Sequence, residues 1–441
     1  MQNLFLRPPP AVVRVRQRLE ALRDPKWETA CTAITTQRAL ALAERAAQHR
    51  FQSPLSGRLV VWKDIFDQRG EVTTLGSALR RSAQPADRNA TTVDQIEAAG
   101  AVSLARTGLS EFAFSGLGIN PHFGTPPSAL STTKPLVPGG STSGSAVLVA
   151  AGLADLGMGT DTSGSVRIPA ALNGIFGFRP STARYERKGV HVLSPTLDTV
   201  GTLARSLDVI LDADRVLAPD QAMAAPPPTC EILDLSQTLG VDWDPQVAQA
   251  YHDALSWAAK AGWRVRSGSI SAVQELRRLV QDFGPLVAIE ARHRYADLLA
   301  SHDANKVDPM IRARLARAPV LSDQQYQTYL RQRAQLVAQA QQEIGNRLVA
   351  FPTVPALRHP LGTYQNDPAA AQALNARLLA ATMVGSLLDL PGVAMPLRRA
   401  DGFVRGSILV SAAQGNDAFL LAQAKALAPK ITHLTPENYG E

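Results

Sequence analysis

Thirteen of the chain's 31 glycines fall between Gly108 and Gly177, a stretch of 70 residues in a chain of 441. Even spreading would place about five there, so this backbone must adopt conformations or close approaches that side chains would forbid. Between Gly116 and Gly144 the chain is dominated by Gly, Pro, Ser and Thr, which taken alone suggests a linker. Charge argues otherwise. From Phe112 to Val166 only Lys134, Asp155 and Asp161 are charged, three residues in 55, although 19% of the whole chain is charged. Charged residues avoid interiors, so the stretch reads as a buried, irregular core whose backbone polar groups are paired internally or reserved for a ligand.

The flanking sequence reads as an α/β fold with a mixed, twisted sheet covered by helices on both faces. Two helices are expected within residues 11–50, a short apolar strand over Leu59–Trp62, a helix over 92–99 and, after Gly100, a strand over Ala101–Ala105. That helix, Gly, strand order points to partly parallel pairing. Ser145–Leu153 reads as an apolar helix and Leu156–Thr160 as a short buried run. Strands at Glu231–Leu235 and Trp263–Val265 flank a helix over Pro245–Ala261, and a long helical stretch runs from about 271 to 348. A strand at Leu348–Phe351, a helix over Gln372–Leu388, strands at Val393–Pro396 and Ile408–Val410, and a helix over Asp417–Leu427 complete the pattern. There is no internal repeat, and Pro226–Pro228 reads as a surface crossover within one domain. That domain divides into N-terminal helices (1–56), a core carrying the chemistry (57–220) and the remainder of the α/β core (221–441), with 271–348 as a helical insertion bordering the substrate.

The net charge of +7, from 45 Lys and Arg against 38 Asp and Glu, is scattered through helical segments such as Arg312–Arg317, a solvated surface rather than a nucleic-acid face. Two cysteines, Cys31 and Cys230, cannot build a disulfide framework or a Cys-rich zinc site. Met1–Arg16 carries three prolines and three arginines where a signal peptide would be apolar, and no run of about 18 apolar residues could span a membrane. These features point to a cytoplasmic protein with no metal, no cofactor, and neither nucleic acid nor membrane as partner.

Two serine clusters sit in the glycine-dense stretch, Gly139–Ser145 and Gly159–Pro169. Each joins permissive backbone to hydroxyls at the expected start of a helix, where free N–H groups can face an anion. Successive amides from Thr162 to Ser165 could form a nest for an oxyanion created by attack of one of those hydroxyls. A serine nucleophile needs a base, yet none of the eight histidines stands in a recognisable catalytic setting. The alternative is a lysine whose pKa burial lowers. Lys63, at the end of an apolar strand, is a candidate, although a strand-end lysine is usually solvated.

These segments resemble the amidase signature hydrolases. Gly139–Ala146 and Gly159–Ala170 match that family's two central motifs, and Ser141 and Ser165 keep its separation of 24 positions. Val61–Asp64 resembles its lysine strand and Gly70–Ser77 the segment that follows; Glu111–Phe112–Ala113, Phe176–Ser181, Leu197–Gly201 and Phe351–Thr353 resemble further family segments. The resemblance implies Ser165 as nucleophile, Ser141 in a cis peptide as proton relay and Lys63 as neutral general base. It further implies the Thr162, Ser163, Gly164 and Ser165 amides as oxyanion hole. Asp161 and Arg167 would orient the nucleophile loop, Ser143 would be hydrogen-bonded in its loop and Ser145 would cap a helix. The expected pocket includes Glu111, Phe112, Gly139 and Gly140.

The implied activity is hydrolysis of a small aliphatic, aryl or urea-type amide through an acyl-enzyme, by a free-standing enzyme or homodimer. The central motif looks most like the allophanate hydrolase branch, with the glutaminyl-tRNA amidotransferase A subunit as a second relative. In the former branch a Tyr and an Arg flanking Gly284–Pro285 bind the substrate carboxylate; here Asp282 and Glu290 occupy those positions. Acids cannot clamp a carboxylate at neutral pH, which argues against allophanate itself.

Overall fold

Leu59–Lys63, the apolar run that ends in a lysine, is a central strand of a mixed sheet. The computed structural model describes residues 10–48, 53–221 and 231–434; Cys230, His49 and Pro226–Pro228 lie outside them. The strands are β1 (Cys31–Ile34), β2 (Leu59–Lys63), β3 (Val102–Thr107), β4 (Leu156–Asp161), β5 (Phe176–Arg179), β6 (Thr199–Ala204), β7 (Glu231–Asp234), β8 (Arg264–Ser267), β9 (Leu348–Pro352), β10 (Gly392–Arg399), β11 (Val404–Ser411) and β12 (His433–Leu434). Their order is β1-β3-β2-β4-β6-β5-β10-β11-β9-β7-β8, with β12 beside the end of β10.

Both neighbours of β2 run parallel to it: Trp62 pairs with Arg106 of β3 and with Met158 of β4. The carboxyl ends of three parallel strands therefore lie side by side, the usual place for a site in an α/β sheet, and they carry Lys63, Thr107 and Thr160–Asp161. From β4 through β6, β5, β10 and β11 to β9 the pairing is antiparallel. Every residue of β2 to β6 and of β9 is buried, so helices cover both faces there. At the edges, β1 is half-buried and β8 largely exposed.

The strongly patterned elements stand close to where the sequence places them. Four strands do not announce themselves: β1, wedged between the first two helices, β5 and β6, whose glycines interrupt the apolar pattern, and the two-residue β12. The 271–348 stretch is several helices, Ser271–Phe283, Leu286–Arg294, Ala296–Ala300, Pro309–Arg317 and Asp323–Ile344. The first break falls at Gly284, whose φ of +92° ends one helix just before Pro285 opens the next.

Candidate active site

Lys63 has no exposed surface. Its Nζ lies 2.7 Å from Ser141 Oγ and 2.7 Å from Thr160 Oγ1 on the adjacent strand. Burial lowers its pKa to about 7, against the opposing pull of Asp198 and Asp161. An amine in that range is substantially neutral near pH 7 and can accept a proton. The bland expectation for a strand-end lysine, solvation, fails here because the Ser141 loop and Thr160 of β4 lie against the amine and leave it no exposed surface.

Ser141 reaches Lys63 because its loop runs against β4. A Cβ on Gly159 would sit 2.5 Å from Thr142 Cγ2, so only glycine permits the approach. The Gly140–Ser141 peptide is cis, and the next amide, Thr142 N–H, donates to the Ser165 carbonyl at 3.2 Å. Thus the two serine clusters, separate in sequence, are stitched together at the residue after Ser141. Ser143 donates to the Gly108 carbonyl (3.2 Å), while Ser145 lies inside helix Ser143–Ala150 and bonds Thr107 Oγ1 at 2.7 Å; it is not the helix cap.

The turn carrying Ser165 is organised by Asp161. Its carboxylate accepts from the Gly164 and Val166 amides (2.7 and 3.1 Å) and from Arg167 Nε and Nη2 (2.9 and 2.8 Å). Burial alone would raise the Asp161 carboxyl; the Arg167 charge and hydrogen bonds overcome it and hold the pKa at about 2. Because the Gly164 N–H is engaged by Asp161, an oxyanion would be left to Thr162, Ser163 and Ser165. Gly164 itself has φ +138°, and a Cβ there would meet Thr382 Oγ1 at 2.3 Å.

Several groups that hold this turn are not evident in the sequence. Thr382 donates to the Ser163 carbonyl at 2.6 Å and Ser386 Oγ accepts from Arg167 at 2.7 Å. They stand four apart on helix Pro368–Leu387, hence on one face, which is the one local signal they offer. Asp198 accepts from Thr162 Oγ1 at 2.6 Å and from the Leu193 and Ser194 amides.

Ser165 is 5% exposed and opens onto a cavity of about 20 Å³, room for about one water. Its walls include Ala113–Gly116, Thr162, Ser163, Leu193, Val287 and Arg314. The Ser163 hydroxyl has no partner among the described residues. The expected lining residues need correction. Glu111 points away and accepts from the Asp308 amide at 2.6 Å, Phe112 stacks on Tyr295 with ring centroids 4.4 Å apart, and neither lines this cavity. Gly139 packs behind it, where a Cβ would be 2.9 Å from Pro169 Cα, and the Gly140 amide is bonded to the Gly116 carbonyl.

A larger cavity of about 720 Å³ lies between helix Leu286–Arg294 and the start of helix Asp323–Ile344, and Ser165 does not line it. Glu290 on its wall accepts from the Ser194 and Thr196 hydroxyls and, at 2.7 Å, from Tyr326. Asp282 borders a different surface hollow, with Glu275 and Arg278. Neither acid could serve as the carboxylate clamp of the allophanate branch. Among the described residues there is no cluster of three metal-ligating side chains, and no helix is long and apolar enough to cross a membrane.

A family model described as Amidase matches residues 14–421. The chain is 43% identical over 192 residues to Amidase 1 of Oryza sativa subsp. japonica, covering 43% of this chain and 44% of that one. It is 30% identical over 400 residues to the indoleacetamide hydrolase of Pseudomonas savastanoi, covering 85% and 84%. The chain spans about half the length of the first curated relatives it matches. Among solved structures, one described as an amidase superposes with a TM-score of 0.83 at 25% identity, covering 96% of each chain.

Proposed function

The chain belongs to the amidase family, and from that premise we propose that it hydrolyses a carboxylic acid amide to the acid and ammonia or an amine through an acyl-enzyme on Ser165. The observation that carries the reading is the buried 2.7 Å contact between Lys63 Nζ and Ser141 Oγ, which supplies a base where no histidine does.

In this reading Ser165 Oγ attacks the amide carbonyl carbon as its proton passes to Ser141, whose own proton passes to neutral Lys63. The carbonyl oxygen gains the negative charge, and the Thr162, Ser163 and Ser165 amides receive it. When the C–N bond breaks, the proton returns through Ser141 to the departing nitrogen. Water then repeats the sequence on the ester, releasing the acid and Ser165. Asp161 and Arg167 position this turn without touching substrate.

The test is turnover of a panel of primary aliphatic and aryl amides by the wild type and by Ser165→Ala. The reading requires that Ser165→Ala lose release of ammonia from every amide the wild type accepts; undiminished release from any of them overturns it.

A further inference from the structure

Ser163 lies on the wall of the cavity beside Ser165, 5% exposed, and its hydroxyl has no partner among the described residues. The other polar side chains on that wall, Ser165 apart, are engaged within the protein. Ser115 Oγ donates to Asn375 Oδ1 at 3.2 Å and accepts from the Leu117 amide, Thr162 Oγ1 donates to Asp198 at 2.6 Å, and Arg314 donates to the Phe114 carbonyl. The backbone about Ser163 is held as well: its carbonyl accepts from Thr382 Oγ1 at 2.6 Å, and the next amide, Gly164 N–H, donates to Asp161 at 2.7 Å. A buried hydroxyl without a partner is costly, and its presence at a cavity calls for a partner that arrives from outside the protein. With about 20 Å³ of space, room for about one water, the cavity admits little beyond the reacting group of a substrate.

We infer that Ser163 is a further catalytic residue: its Oγ–H donates to the carbonyl oxygen of the substrate amide as that oxygen becomes negative, joining the Thr162, Ser163 and Ser165 amides in place of the Gly164 amide that Asp161 occupies. This role rests on the proposed attack by Ser165, which brings the reacting carbonyl into the cavity. The oxygen gains its charge only on the way to the tetrahedral intermediate, and a hydrogen bond to a charged acceptor is stronger than one to a neutral carbonyl, so the contact favours the transition state over the bound substrate. A hydroxyl with no bond inside the protein gives none up to make it. The leaving nitrogen is the competing contact, and a change of leaving group separates the two.

The experiment measures the second-order rate at which Ser165 is phosphonylated in the wild type and in Ser163→Ala, which keeps the backbone amide and removes the hydroxyl. Two probes carry the same ethyl pentylphosphonyl group, one leaving as fluoride and the other as p-nitrophenolate, and peptide mapping by mass spectrometry reads the labelled residue. The phosphoryl oxygen takes the place of the oxyanion, so Ser163→Ala should react about tenfold or more slowly with both probes, by the same factor. Its melting temperature should be unchanged or higher, because an unpaired buried group has gone. Equal rates in the wild type and Ser163→Ala overturn the inference. A loss confined to one probe also overturns it, placing the hydroxyl at the leaving group instead; both results leave Ser165 standing as nucleophile. A lowered melting temperature overturns it as well, assigning the hydroxyl to structure. If neither probe labels Ser165 in the wild type, the catalytic reading itself falls, and the role of Ser163 with it.

Discussion

Lys63 Nζ and Ser141 Oγ stand 2.7 Å apart in a place where neither residue has exposed surface. Burial that lowers the lysine to about 7 makes its neutral form the working one, so kcat/KM for an accepted amide should rise with pH through about 7 and level off above it. The check is a pH profile of kcat/KM. Activity that is flat from pH 5 to 9 would remove Lys63 from the proton path.

The same shift has a consequence for stability. The amine is depressed from 10.5 to about 7 on folding, so between those values the unfolded chain binds a proton that the folded chain does not. Stability contributed by this residue therefore rises with pH across that window and is constant below it. Relative to Lys63→Met, the wild type should gain about 1.4 kcal/mol per pH unit between roughly pH 7.5 and 9. Urea unfolding of both proteins at several pH values measures it; parallel curves would mean that the lysine is not desolvated.

Asp161 and Arg167 are both fully buried and bonded through two pairs of atoms. Asp161→Asn leaves the guanidinium charged without a partner and should cost about 3–5 kcal/mol, together with the geometry of the Ser165 turn. The expected outcome is a lower denaturation midpoint and loss of turnover. An unchanged midpoint would show that the pair is dispensable.

Glu290 holds the hydroxyls of Ser194, Thr196 and Tyr326, and Ser194 N–H is in turn bonded to Asp198, the acceptor of Thr162. Glu290→Ala leaves three hydroxyls without their acceptor and should cost about 2–4 kcal/mol, measured by thermal unfolding. A variant that keeps its stability and changes only its choice of amide would place Glu290 in substrate recognition instead.

Much of this is legible in the sequence. The glycine excess and missing charge of the 108–177 stretch correspond to a fully buried segment from Ala101 to Asn120 and again from Leu136 to Val149, and Gly159 and Gly164 show why: each is where another chain segment passes too close for a side chain. Lys63 was legible as a candidate but not as buried, because the groups against its amine, Ser141 and Thr160, come from segments about 80 to 100 residues further along the chain. The pocket was least legible. Arg314 and Thr382 come from separate helices whose sequence neighbourhoods resemble ordinary helix, and Asp198 lies in the Leu197–Gly201 segment, whose resemblance to the family carries no role for it. Glu111 and Phe112, expected in the pocket with the family resemblance, instead accept from the Asp308 amide and stack on Tyr295, in a segment that winds through positive φ at Phe112 and Ala113.

The central claim is that Ser165 is a nucleophile activated through Ser141 by Lys63. Its most direct test is labelling with an alkyl fluorophosphonate followed by peptide mapping by mass spectrometry in the wild type, Ser165→Ala and Lys63→Met. A single phosphonyl group on Ser165 is expected in the wild type, none at that position in Ser165→Ala, and a labelling rate lower by about a hundredfold or more in Lys63→Met. Label on another residue of the wild type, or an undiminished rate without Lys63, would contradict it.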